Sequence, residues 1–411
     1  MERSVRGTLL AASLMLIPMT IAIASERPPY LQRADEVEAR YQTYRQRLER
    51  FFAALSAWVE VEAPDLRSKI APPAPVPHGY QILPTLLTDP PRRARPSPLI
   101  LGSFSWSRTE GFVERDGAKL DALEARLGVT ASLTGEDRRR ELDTLVEDYK
   151  KLVAGQKLIA ATIQYNRLWQ GEIVRHPRIY RDLTALQEAA QERQALLDAL
   201  PLGDERIEAD LRARADALSR RVEEAIRKLP TPGFVRVDHP SPRRWVLRVP
   251  VYTDIADSAF VERFRAAIET AWQVRDGEDD FSVALDIHRV SAAELYPDGD
   301  APAHGAHIDV FAHVQRFPQG GVVLTTGSTS IYATGRSIIV GPHAIGPNAL
   351  VHEFGHMLGF KDGYFRGYRD RGPDGYEVIE VILAPDDIVA APEGGRVRRQ
   401  HFEQVLQEER R

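Results

Sequence analysis

The sequence predicts an α+β protein, with a helical N-terminal region followed by a domain built on a twisted mixed sheet and one chemistry-bearing helix. Three observations carry this. Between about 136 and 229 apolar residues recur at helical intervals. A breaker cluster, LPTPGF (229–234), marks a change of pattern, and short β-branched runs beyond it alternate with helical ones. Finally, VHEFGHMLGFKD (351–362) sets two histidines four residues apart.

At 411 residues the chain exceeds one typical domain. A hydrophobic content of 43% with 27% charged residues is that of an ordinary globular protein. The net charge of -5 carries no basic bias of the kind nucleic acid binding needs.

Residues 1–24 read as a signal peptide. Arg3 and Arg6 precede an apolar run (9–24) that ends in Ala22-Ile23-Ala24, a small-x-small cleavage pattern before Ser25. The run is only slightly short of a membrane span, but Pro18 and the cleavage pattern favour removal, so no stable span is expected in the mature chain. The expectation is an exported bacterial protein, periplasmic or secreted, whose mature chain begins at Ser25. It contains no cysteine, so it has no disulfide and no lipid-anchored N-terminal cysteine, and its core alone must stabilise it.

A helical segment follows (25–70), with apolar and aromatic residues at helical intervals through ADEVEARYQTYRQRLERFFAALSAWVEV. Residues 71–99 read as a proline-rich linker or irregular loop, because 9 of the chain's 28 prolines fall here. Residues 100–230 read as a helical bundle or hairpin. Leu142, Leu145, Val146, Tyr149, Leu152 and Val153 form one apolar face, and Pro177 and Pro201 divide the strongly helical part, 136–229, into about three helices. The last, ERIEADLRARADALSRRVEEAIRKL, carries a narrow apolar stripe. It is a candidate surface for a protein partner, although a solvated helix packed on its neighbours is the plainer reading.

Residues 231–411 form the mixed domain. RRWVLRVPVYTDI reads as a strand and SAFVERFRAAIETAWQVRDG as an amphipathic helix ending at glycine. FSVALDIHRV, HIDVFAHVQ, GVVLTTGST and SIYATGRSIIVG read as strands. Gly346-Pro347 then opens the motif helix, because proline suits the first helical position.

On that helix His352 and His356 point the same way and suit a single Zn2+ ion. Glu353 is offset around the helix, where it reaches a metal-bound water without displacing it, the place of a general base. Gly359 ends the helix and reverses the chain, so that Asp362 can offer a carboxylate oxygen as third ligand. The competitors are Glu377 and Glu380, but GYEVIEVIL alternates like a strand and does not supply the helix a thermolysin-like third ligand needs.

HEFGHMLGFKD resembles the metzincin zinc signature, HExxHxxGxx followed by a third ligand. That ligand is histidine in most members and aspartate in snapalysin-like ones, as with Asp362 here. The order of strands and helices before it is also similar to the metzincin N-terminal subdomain. The resemblance covers about 234–411; the helical half resembles no family we can name. It implies a metzincin-like (matrixin-like or snapalysin-like) zinc endopeptidase domain acting on peptide or protein substrates. The chain departs from the family at one point. Metzincins place a methionine in a tight turn beneath the metal, whereas PDDIVAAPEGG puts Val389 there and the last methionine is Met357. The resemblance also implies that substrate binds extended beside the strand at Val322–Thr326.

In the implied mechanism zinc activates water and polarises the scissile carbonyl, while Glu353 carries the proton to the leaving amine. Tyr364 and Tyr376 are candidate donors to the developing oxyanion, with packing the plainer role. His304, His307 and His313 lack ligand spacing and read as polar loop and strand residues. The rival reading is a cell-envelope scaffold protein with a vestigial zinc domain. Retention of Glu353 speaks against it, because a structural metal site has no use for a general base.

Overall fold

A computed structural model describes residues 29–73, 79–89, 99–175, 177–201 and 203–409. The expected signal peptide and parts of the proline-rich stretch lie outside these residues. The fold is mixed α+β. Among the described residues no helix is long and apolar enough to cross a membrane.

The N-terminal half is built on α1 (Pro29–Glu62). Its buried residues Ala34, Val37, Tyr41, Tyr44, Leu48, Phe51 and Leu55 step by three and four, which makes one continuous seam along the helix. The seam packs against the helices that follow. A short strand β1 (Leu99–Ser105) leads into α2 (Trp106–Thr130), and α3 (Gly135–Arg175) returns alongside. Leu120, Leu123, Leu145 and Tyr149 join the α1 seam in one core, so the expected separate segment 25–70 belongs to the bundle. Arg138 to Glu62 (2.7 Å) and Arg167 to Glu38 (2.8 Å) tie α3 to α1 at the surface. The helices α4 (Pro177–Asp198) and α5 (Glu205–Ile226) form a hairpin, joined by bonds such as Arg193 Nε to Ser219 Oγ (2.6 Å).

The C-terminal half opens with β2 (Arg236–Ser241), β3 (Arg244–Thr253) and α6 (Ser258–Ala271). The helix stops short of the expected glycine. Trp272 drops into the core and the chain turns extended as β4 (Gln273–Asp276), with Gly277 (φ +62°) making the tight turn into β5 (Asp279–Arg289). The one-turn helix α7 (Ala292–Leu295) and α8 (Val310–Val314) follow. The expected strand HIDVFAHVQ is therefore helical at its centre. Asp309 caps it by accepting from Ala312 N (3.1 Å), a local bond that overrides the alternating pattern.

Next come β6 (Val322–Thr326), β7 (Tyr332–Thr334) and β8 (Ser337–Val340), then α9 (Pro347–Met357), which carries the histidines. The sheet order is β4-β5-β3-β6-β8-β7, with β2 pairing β3. β3, β5, β6 and β8 run parallel, while the edge strands β4 and β7 are antiparallel to their neighbours. β6 thus lies inside the sheet between β3 and β8. β3 pairs with its Val322–Leu324 and β8 with its Val323–Thr326, so the expected docking of substrate beside Val322–Thr326 as a sheet edge does not hold; the strands at the two ends of the sheet are β4 and β7.

After α9 the hairpin β9 (Tyr364–Asp370) and β10 (Gly375–Ile382) extends to the N-terminal half, and α10 (Arg399–Glu409) closes the core. β10 pairs with β1 on one side and β9 on the other, so strands from both halves share a three-stranded sheet. Ala190 and Val222 of the α4–α5 hairpin pack with Phe365 and Val381 of that sheet.

Residues 79–89, in the stretch expected to be an extended linker or irregular loop, are irregular and lie against the C-terminal half. Leu86 and Leu87 run beside Ile345, with Leu87 N donating to Ile345 O (2.9 Å) and Ile345 N to Thr85 O (3.0 Å). Leu83 and Leu86 pack on the α/β core. Apolar side chains between the prolines give this segment a surface to bury.

Candidate metal centre

α9 begins at Gly346, which has no side chain to cap the first backbone N–H groups. Asp89 supplies the cap from the proline-rich stretch, accepting from Asn348 N at 3.0 and 3.2 Å. The helix ends in a Schellman motif: Gly359 N donates to His356 O (3.0 Å) and Phe360 N to Gly355 O (3.2 Å), with Gly359 at φ +92°. This reversal brings Asp362 back over the helix.

His352 Nε2 lies 3.1 Å and His356 Nε2 3.4 Å from Asp362 Oδ1. Among the described residues these three are the only group of histidines, cysteines and carboxylates whose donor atoms, all within 4.8 Å of one another, suit a metal ion. Each imidazole is held from behind. His352 Nδ1 is 3.0 Å from Ile388 O, and His356 Nδ1 is 2.8 Å from Phe360 O. A carbonyl only accepts, so both Nδ1 atoms carry the hydrogen and both neutral rings turn a bare Nε2 lone pair inward. Asp362 Oδ1 is sealed from water and faces the two imidazoles, although the side chain as a whole is partly exposed. Three converging lone pairs repel unless a cation or a proton lies among them.

In the absence of metal a proton takes that place. Burial opposes a charge on His356, but the Asp362 carboxylate outweighs it and raises the imidazole to about 9. Burial likewise opposes charge on Asp362, yet the two histidines hold its carboxyl well below the usual range. Burial pushes Glu353 up, partly offset by the two imidazoles and by a hydrogen bond from the backbone of Ala333.

The turn of PDDIVAAPEGG packs directly under the helix. Val389 is buried, and a Cβ on Gly355 would come within 2.9 Å of its Cγ1. The turn is fixed by Asp387, which accepts from Val389 N (2.9 Å) and His401 Nε2 (3.1 Å). Gly363 N donates to Val389 O (2.9 Å), which pins the chain just after Asp362.

A cavity of about 930 Å3 opens over these groups, bounded by β7 and by Tyr364, Arg366 and Glu380 of the β9–β10 hairpin. Tyr364 lies in it, its ring stacked on His352 with centroids 6.3 Å apart, and burial raises its phenol. Tyr376 does not line it. Glu380 is buried and accepts from Arg366 Nε (2.9 Å), and Glu377 pairs with Arg369 (3.2 Å) and Arg371, so neither joins the three donors. His304 and His307 lie in the loop before α8. His313 is buried elsewhere, between Asp254 Oδ2 (3.0 Å), Thr325 Oγ1 (3.1 Å) and Tyr296 OH (2.7 Å).

No family model, curated protein or solved structure matches this chain. Sequence reasoning missed Asp89 and the Ile388 carbonyl, both distant from the motif. The only signal for Asp89 was the bare N-terminus at Gly346.

Proposed function

We propose that this chain is an exported zinc-dependent endopeptidase of metzincin type, periplasmic or secreted, in which His352, His356 and Asp362 hold one Zn2+ ion and Glu353 is the general base. The observation that carries the reading is the convergence of three lone pairs, two of them from rings locked by backbone carbonyls, beside a half-buried glutamate in an open cleft. Bound zinc supplies a Lewis acid that activates water and polarises a carbonyl.

The protein supplies the rest. Glu353, raised by burial, takes a proton from the nucleophile and delivers it to the leaving amine. Val389 fills the place under the ligands that the methionine turn occupies in metzincins. The edge strand β7 lines the cleft with Tyr332 and Ala333, beside which an extended peptide can lie. Tyr364, beside Asp362, is positioned to donate to a developing oxyanion.

The test is metal analysis of the purified full chain together with hydrolysis of an unfolded protein such as casein. One zinc per chain is expected, with activity lost to a chelator and restored by zinc. Zinc without turnover would favour the vestigial scaffold instead.

A further inference from the structure

The cleft does not end at the three donor atoms. Past His356 and Asp362 it continues into a second cavity of about 600 Å3 that shares Ala333, His356, Asp362, Tyr364 and Arg366 with the first. One wall is the end of β7, and the floor is Met357, Phe360 and Phe365. The other wall comes from the helical half: Leu183 on α4, Ala225 and Ile226 at the end of α5, and Leu229 just beyond.

This wall is bonded to the loop that carries the third donor. Leu229 N donates to Gly359 O (2.8 Å), and Lys361 Nζ donates to Ala225 O (3.1 Å) at the C-terminal end of α5. The backbone approach is close enough that a Cβ on Gly359 would fall 2.5 Å from Leu229 O. The helical half is thus seated against the His356–Asp362 loop on one side of the site.

We propose that Leu183, Ile226 and Leu229 form a specificity subsite, through which the helical half selects substrates bearing a large aliphatic or aromatic side chain on one side of the scissile bond. The proposal rests on the peptidase reading above. Lys361 is engaged with Ala225 O and Arg366 with Glu380, so the surface presented is mainly apolar. Leu229 is 53% exposed and lines this cavity, so an apolar occupant would take part of its apolar surface out of water. An extended peptide advances about 3.3 Å per residue, so a groove that starts beside His356 receives a residue within about three positions of the cut.

The test uses the full chain and two substitutions, Leu229→Asp at an exposed position and Leu183→Asp at a half-buried one. Products of an unfolded protein digest are sequenced by mass spectrometry. Wild-type cuts should show an excess of Leu, Ile, Met or Phe at one position on one side, and both substitutions should erase it. In parallel, Glu353→Gln protein is titrated with two fluorescein-labelled peptides, identical except for leucine or aspartate at that position, and anisotropy is read. The leucine peptide should bind about tenfold more tightly, and Leu229→Asp should remove the difference. An unchanged cut profile in both variants, or equal binding of the two peptides, would overturn the subsite. A chain that cuts nothing yet still binds the leucine peptide through Leu229 would instead sink the hydrolytic reading and leave the subsite standing.

Discussion

Both motif histidines are fixed through Nδ1 by carbonyls outside the helix's own hydrogen-bond ladder, and this decides how the site titrates. Without metal, His356 is raised from 6.5 to about 9 by its contact with Asp362. Its contribution to the stability of the metal-free protein is therefore complete below about 6.5 and is lost as the pH rises through about 9. Zinc needs the neutral ring, so the sign for metal binding is opposite. Affinity should rise about tenfold per pH unit up to that point, with about one proton released per zinc at pH 7.5. Titration calorimetry in buffers of different ionisation enthalpy measures this release, and a buffer-independent enthalpy would contradict it. The identity of the third donor is equally local. Asp362→Ala should weaken zinc binding at least about a hundredfold, while Glu377→Ala and Glu380→Ala keep the metal, because their carboxylates are turned to arginines. Zinc lost only with a glutamate change would remove Asp362 from the site. This part of the molecule was legible because every donor lies within eleven consecutive residues and helical spacing alone aims two of them.

At the scale of elements, legibility falls where a partner is distant in sequence. GYEVIEVIL reads as a strand from its alternation and forms β10, but nothing in it points to β1 as its neighbour. α2 falls inside the expected helical region 100–230 but is not set apart there as an element of its own, because Gly111, Gly117 and Gly128 and many charges dilute its apolar stripe. HIDVFAHVQ alternates like a strand, yet the Asp309 cap makes its centre helical. The proline-rich stretch looked like a spacer, and its Asp89 instead caps α9. Asp89→Ala should therefore cost about 1 kcal/mol of stability, as loss of an N-cap does elsewhere. Urea denaturation checks it, and an unchanged midpoint would mean that Asn348 N finds water as readily as Asp89.

On the scale of the whole molecule, the two halves are joined around the site. β1 enters a sheet with β9 and β10, α4 and α5 share a small core with that sheet, and Leu229 is bonded to the turn between His356 and Asp362. Sequence periodicity marked the composition break near 229–234 but could not reveal that the chain on both sides of it meets at one cleft. That arrangement leaves β7 at the edge of the cleft and puts Glu353 among the cleft's lining residues, as the proposed peptidase reading requires. The decisive measurement is zinc content and casein hydrolysis of wild-type protein beside Glu353→Gln. The variant should hold one zinc per chain, like the wild type, and hydrolyse casein about a hundredfold more slowly or worse. Equal hydrolysis by the two proteins would contradict the central claim.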